Sequence, residues 1–417
     1  MLTIARKEIL ENLTSYRFAV LTGVLLLLMT VSFVVSCGDY SLRMENYNLL
    51  RPKEPNSAKM IIPPTPLSIF AKGLDANMGR LYEETGLGID VNQNQQSVNR
   101  LFALFAVPDM LFTIKIILSL IALLMSFDAI TSEKEHGTLK LMLTNGAQKT
   151  ALLAGKILGR FSLVYVPFAL FFLASVIVVS LLPSVQMDRH IFFSLISMIL
   201  FSAVYVLIFS SLGVLSSTLT HRSPTSFVIS LSFWVLLVFV IPQMGATVGT
   251  WVADVPPSDR VEMENRLSAI EAIYTRIQAE KNTGEGTEGV RMIERVKDAN
   301  RQLFESYRPK LNRLIATTRN IVRLSPAGAL TFLITDAANT GIYEELRLKD
   351  EIRLYVDRNF NRIVGLEKKP VDAFQYRRAS LGEVFAQASF TDAVILVLFT
   401  IVILGLAIVG LLRYDPR

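Results

Sequence analysis

Phe127-Asp128-Ala129-Ile130-Thr131-Ser132-Glu133-Lys134-Glu135-His136-Gly137-Thr138-Leu139-Lys140, continuing to Gly155-Lys156, is a short charged stretch held between two apolar runs. A bilayer core about 30 Å thick takes about 20 apolar residues of helix to cross, and each flanking run is long enough. The stretch is therefore expected just beneath the membrane, on its cytoplasmic side.

The same pattern extends in both directions. With 417 residues, 51% hydrophobic content, a mean hydropathy of +0.43 and six long apolar runs, the chain reads as a polytopic membrane protein rather than one with a large soluble core. Inside hydrocarbon each backbone amide must be paired within its own segment, and unalternating runs of this length are helices, not barrel strands. The expected fold is all-α, with six transmembrane helices and a helical extracytoplasmic domain between the fifth and sixth. Much of the net charge of +6 is accounted for by Lys and Arg in loops under the membrane, so no nucleic-acid partner is expected. Cys37 is the single cysteine, which excludes an intrachain disulfide, and His136, His190 and His221 lie too far apart in sequence to resemble a zinc spacing.

Upstream, residues 1–16 put Leu2, Ala5, Ile9, Leu13 and Tyr16 on one helical face, with Arg6, Lys7, Glu8 and Asn12 elsewhere. This describes an interfacial elbow helix feeding the first run, 17–37. Val34-Val35-Ser36-Cys37 also resembles a lipoprotein cleavage box, but the length of the run and the acidic Glu8 and Glu11 favour an uncleaved anchor. Residues 38–107 form an outer segment rich in Pro and then in Asn and Gln, its front half extended or irregular. The second run, 108–130, carries Lys115, read either as lining a pathway or as snorkelling to the outer surface.

Downstream of the 131–156 segment come runs at 157–182, with Pro167 as a kink, at 190–216 and at 225–250, with Pro224 at the helix start. The fourth run is rich in Ser and Gly, which fits close packing within the chain or a dimer seam equally. Residues 251–390 are long enough for a domain of their own. Apolar positions from Val261 to Ile277 and from Ile293 to Ile321 describe an antiparallel helical hairpin, and Ala327 to Ile334 is too short to span and is expected to dip against the outer membrane face. A charged helix over 342–360 leads to the last run, 391–412. Six crossings place both termini on one side, and Arg6, Lys7, Lys134, Lys140, Lys149, Arg222 and Arg413 in the short segments make that side cytoplasmic.

Gly146 to Lys156 is not a phosphate loop. Thr150 stands where the first glycine belongs and Ile157 follows Lys156 in place of Ser or Thr, so ATP is not bound by that device. No serine-hydrolase elbow and no His-Glu-x-x-His is present. The 131–156 segment offers a mechanical arrangement instead. Ser132 and Glu135 fit a capping box, a helix over about 133–143 would carry Leu139, Met142 and Leu143 on its apolar side, and Asn145-Gly146 turns the chain. Such a helix either transmits a push to two spans or is a polar hairpin that fixes topology.

Phe127-Asp128-Ala129-Ile130, then Glu133-Lys134-Glu135-His136-Gly137-Thr138-Leu139-Lys140-Leu141-Met142-Leu143, then Gly155-Lys156 resembles the motif of type-2 ATP-binding-cassette exporter permeases. The large outer segments, and more weakly Ser325-Pro326 ahead of Thr340-Gly341, are similar to a subgroup with extended extracytoplasmic domains. The resemblance implies that Glu133, Glu135, Gly137, Thr138 and Leu139 belong to a coupling helix seated in a separate ATPase subunit, with Asp128 and Lys156 flanking it. It implies no cofactor on this chain, ATP and magnesium on the partner subunit, and a homodimer or a heterodimer with a similar permease in a bacterial inner membrane. The outer helices would gate the exit or engage a periplasmic partner. The readings that compete with it are a membrane anchor or sensor whose outer domain binds a partner, and a membrane enzyme acting on lipid or on protein thiols.

Overall fold

The computed structural model describes residues 2–51, 59–79, 81–84, 89–92, 109–146, 148–253, 286–363 and 374–414. It is an all-α membrane architecture with one small outer sheet. Helix α1 (Leu2–Leu13) turns at Thr14 into α2 (Tyr16–Leu50), where the Ser15 hydroxyl accepts the Phe18 amide at 3.2 Å as an N-cap. At 35 residues α2 is about 52 Å long, well beyond the hydrocarbon core. An irregular chain was expected from residue 38. The helix continues instead because Arg43 bonds back to Asp39 at 2.9 Å and both residues find partners outside it, Asp75 and Lys72 respectively.

The first outer segment then forms an antiparallel sheet of β1 (Lys59–Met60), β2 (Leu81–Glu84) and β3 (Ile89–Asn92), with Met60 opposite Tyr82 and Tyr82 opposite Val91. Helix α3 (Met110–Leu124) follows, capped by the Asp109 carboxylate and containing a π-helical segment, Thr113–Leu118. The expected second run, 108–130, is thus helical only over its first part. Met125 to Ile130 is a turn held by the neighbouring helices, with the Ile130 amide and that of Thr131, the next residue, both bonded to the Ser217 hydroxyl at 2.8 Å.

Two short helices, α4 (Thr131–Glu135) and α5 (Thr138–Thr144), make the inner turn. Beyond it lie α6 (Lys149–Ser180), which contains Pro167, and α7 (Arg189–Leu219). Next comes α8 (Ser223–Val235), joined through the π-helical Leu236–Val240 to α9 (Ile241–Ala253). Among the described residues, five helices are long and apolar enough to cross a membrane: α2, α6, α7, the α8–α9 pair and the last one, α13 (Phe390–Leu412). Helix α3 is apolar but shorter. The serines of α7, among them Ser194, Ser202, Ser210, Ser211 and Ser217, are buried inside the chain, and Gly213 lets the Ser126 backbone approach so closely that a Cβ would sit 2.8 Å from that of Ser126. Close packing within one chain accounts for these small residues.

At the end of the bundle away from α4 and α5, α10 (Gly286–Val322) runs back along α9, whose Gly245 and Gly249 leave no room for a Cβ against Val322 and Thr318. The first arm of the expected hairpin, Val261 to Ile277, lies outside the described residues. Helix α11 (Pro326–Ala337) is the short apolar element. It is buried against α7, α13 and the π segments rather than laid on a membrane face, because Leu330, Leu333 and Ile334 join the main core. Helix α12 (Ile342–Ile363) shares a core with the first outer segment through Met60, Ile62, Met78, Leu348 and Ile352. The two outer segments are therefore one packed unit, fastened where the Leu74 amide donates to the Thr340 carbonyl at 2.7 Å.

Candidate functional site: the inner turn and its charged clamp

The expected capping box does not form. Ser132 lies inside α4, and the position before that helix is Ile130, which has no side chain able to cap. The helix breaks at His136 and restarts after Gly137, whose φ of 74° lies in the left-handed region that glycine adopts without strain. The Glu135 carboxylate, released from local capping, reaches across to the start of α8 and accepts from the Ser223 amide at 2.8 Å and its hydroxyl at 2.9 Å. These bonds hold its pKa below the ordinary value.

The preceding residue does the converse. Lys134 Nζ donates to the carbonyls of Ser217, Thr218 and Thr220 at 3.2, 2.6 and 2.8 Å, at the C-terminal end of α7. Burial lowers its pKa to about 8, and it remains mostly charged at neutral pH. A cation on a helix C-terminus and an anion on a helix N-terminus each complement the backbone dipole. Two adjacent side chains thus grip both ends of the α7–α8 turn.

A second arrangement is a chain of alternating charges. Arg17 pairs with Asp128 at 2.7 Å, Asp128 with Arg160 at 2.6 Å, Arg160 with Glu8 at 3.2 Å, Glu8 with Lys156 at 2.6 Å, and Lys156 with Glu133 at 2.7 Å. Arg160 also donates to the Met125 carbonyl. Three cations and three anions balance, as burial demands: the Lys156 side chain is only 2% exposed and that of Glu8 7%. Burial raises the Glu133 pKa, and Lys156 beside it pulls the other way. The chain connects α1, the start of α2, the turn after α3, α4 and α6.

The last connection is to α13. Lys149 Nζ donates to the Leu412 and Tyr414 carbonyls at 3.1 and 2.8 Å, and Lys134 lies 5.3 Å from the centre of the Tyr414 ring. Leu139 is fully buried with Ile130, Leu153, Val214, Ala407 and Leu411, and Met142 and Leu143 pack on that cluster half-buried. The 128–156 segment therefore meets the inner end of every one of these helices, and all but α3 through a charged side chain.

The seven residues marked by the sequence divide. Asp128, Glu133, Leu139 and Lys156 face into the protein, whereas Glu135, Gly137 and Thr138 are exposed. His136, Lys140 and Leu141 are exposed with them, Leu141 at 63%. Sequence reasoning missed Glu8, Arg17, Arg160 and the caps made by Lys134 and Lys149. Arg160 carried a usable signal: a cation four residues after Lys156 on one helical face of an apolar run has to find anions. Glu8 was placed on the polar face of an interfacial helix, yet Gly159 brings α1 so close to α6 that the Glu8 side chain is enclosed.

Among the described residues, no group of three or more His, Cys, Asp or Glu is placed to hold a metal ion. A family model described as ABC-2 family transporter protein matches residues 2–416. No curated protein matches the chain.

Proposed function

Since the chain belongs to the ABC-2 family of transporter proteins, we propose that it is the membrane-spanning permease subunit of an ATP-driven exporter, moved by a separate ATP-binding-cassette ATPase that carries the ATP and magnesium. The α3 helix makes the short second of six crossings, both termini are cytoplasmic, and two permease chains, identical or similar, work together in a bacterial inner membrane.

One observation carries this reading: the inner turn touches the inner ends of all the membrane helices, so a displacement of α4 and α5 cannot remain local. Its two faces have different tasks. Glu135, Gly137, Thr138 and Leu141 are exposed for a partner, while Asp128, Glu133, Leu139 and Lys156 hand the movement inward. Nucleotide binding on the partner then shifts the helices between two rigid-body arrangements.

The two tasks are separable in the reconstituted complex with its ATPase subunit. Leu141→Asp should abolish co-purification of the ATPase. Lys156→Met should leave it bound but uncouple hydrolysis from transport. If Leu141→Asp retains the ATPase and full activity, the coupling role is wrong, and an anchor or sensor role for the chain gains ground.

A further inference from the structure

The inner clamp and the outer unit are both tied by charge to α13, one at each end. The helix has 23 residues, about 34 Å, enough to cross the hydrocarbon core, and contains no proline. It packs along α7, tightly at the inner end, where a Cβ on Gly410 would meet the Thr218 hydroxyl at 2.7 Å. Its inner end holds the Lys149 contacts and the Leu411 and Ala407 packing described above. At its outer end Asp392 is completely buried and accepts from Arg319 at 2.6 Å, on the last turn of α10, and from Arg323 at 2.5 Å, in the turn just past the end of that helix. Arg319 also reaches Asp336 of α11 at 2.8 Å, and the Ser389 hydroxyl donates to the same carboxylate at 3.2 Å.

The alternative route from the inner turn to α10 runs through α8 and α9. That route is interrupted by the π-helical Leu236–Val240 and then by Pro242, both of which let a helix bend instead of transmitting a push. α13, by contrast, is an unbroken helix that runs from the inner clamp to a direct ion pair with Arg319 of α10.

We propose that α13 is a strut that carries displacement of the inner turn to the outer helix α10, with Lys149 as the positioning residue at one end and Asp392 at the other. This rests on the coupling reading above but adds a destination for the movement: the outer unit, through the Arg319–Asp392–Arg323 clamp. The two arginines are too buried beside Asp392 for the pairing to be a solvated surface contact, and the carboxylate has no other cation among the described residues.

The test needs no ATPase, so its failure would leave the coupling reading standing. Hydrogen exchange is followed by mass spectrometry on the full chain in lipid nanodiscs. Lys149→Met should speed exchange in residues 314–322 of α10 at least about threefold, a shift of the size expected when a coupling contact is lost. Lys149→Arg, which retains the cap, should restore the wild-type rate. In an Asp392→Asn background the response to Lys149→Met should vanish. Should that variant not fold, Arg319→Gln removes the cation by which α10 itself holds Asp392. Unchanged exchange at 314–322 in Lys149→Met, or a response that persists with the outer contact cut, overturns the proposal.

Discussion

Lys156 illustrates how a buried charge acquires a role. Its ammonium is enclosed between Glu8 and Glu133, and losing it leaves the Glu133 carboxylate without its cation and Glu8 with Arg160 alone. Lys156→Met should therefore cost about 3–5 kcal/mol of stability, measured by chemical unfolding in micelles. Adding Glu8→Gln to it should cost less than the two single changes summed, because the pair acts as one unit. Strict additivity would show that the charges do not form a chain. Glu135 gives a pH prediction. Its folded pKa is depressed below the ordinary 4.5 by Ser223, so the contact stabilises above that value and is lost as pH falls through the folded pKa. The melting-temperature advantage of the wild type over Glu135→Gln should shrink between about pH 6 and pH 3.5. An advantage constant over that window would mean the carboxylate is not the capping group. At this scale the sequence was partly legible: Lys156 and Asp128 stood out by motif, while Glu8, 148 residues from Lys156, could only be paired with it once the helices were in contact.

Among the elements, the turn between α3 and α6 was expected to hold one helix over about 133–143 and holds two, α4 and α5. Ser132 and Glu135 have the spacing of a capping box, a local pattern, and a distant partner won: the α8 start offers Glu135 two donors of Ser223 where the local helix would offer one. Gly137 then has a job that spacing did not indicate. With φ at 74° and nothing within 4 Å of where a Cβ would sit, the cost of Gly137→Ala is conformational alone, about 1–2 kcal/mol, and Gly137→Asn should cost less. Equal losses for the two variants, read from thermal unfolding, would point to a contact and not to backbone strain. The extent of α2 was also not legible, since the pairing of Arg43 and Asp39 with Asp75 and Lys72 that sustains its outer turns involves another segment.

For the whole molecule, hydropathy sufficed to give a helical, polytopic architecture, because lipid leaves a backbone few choices. It did not give the outer unit. There, Arg378 reaches Asp75 at 3.2 Å across most of the chain, and Met60 packs with Leu348 and Ile352, contacts with no local periodicity behind them. The inner and outer units are consequently linked through whole helices rather than through a continuous soluble core, and those helices converge at the inner turn. The most direct measurement of that claim is photo-crosslinking from position 141 in the assembled complex in native membranes, with position 298 on the exposed outer helix α10 as the control. A crosslink from 141 to a nucleotide-binding subunit, absent from 298, is the predicted result. A bare position 141, with the same subunit captured elsewhere or not at all, would contradict the account.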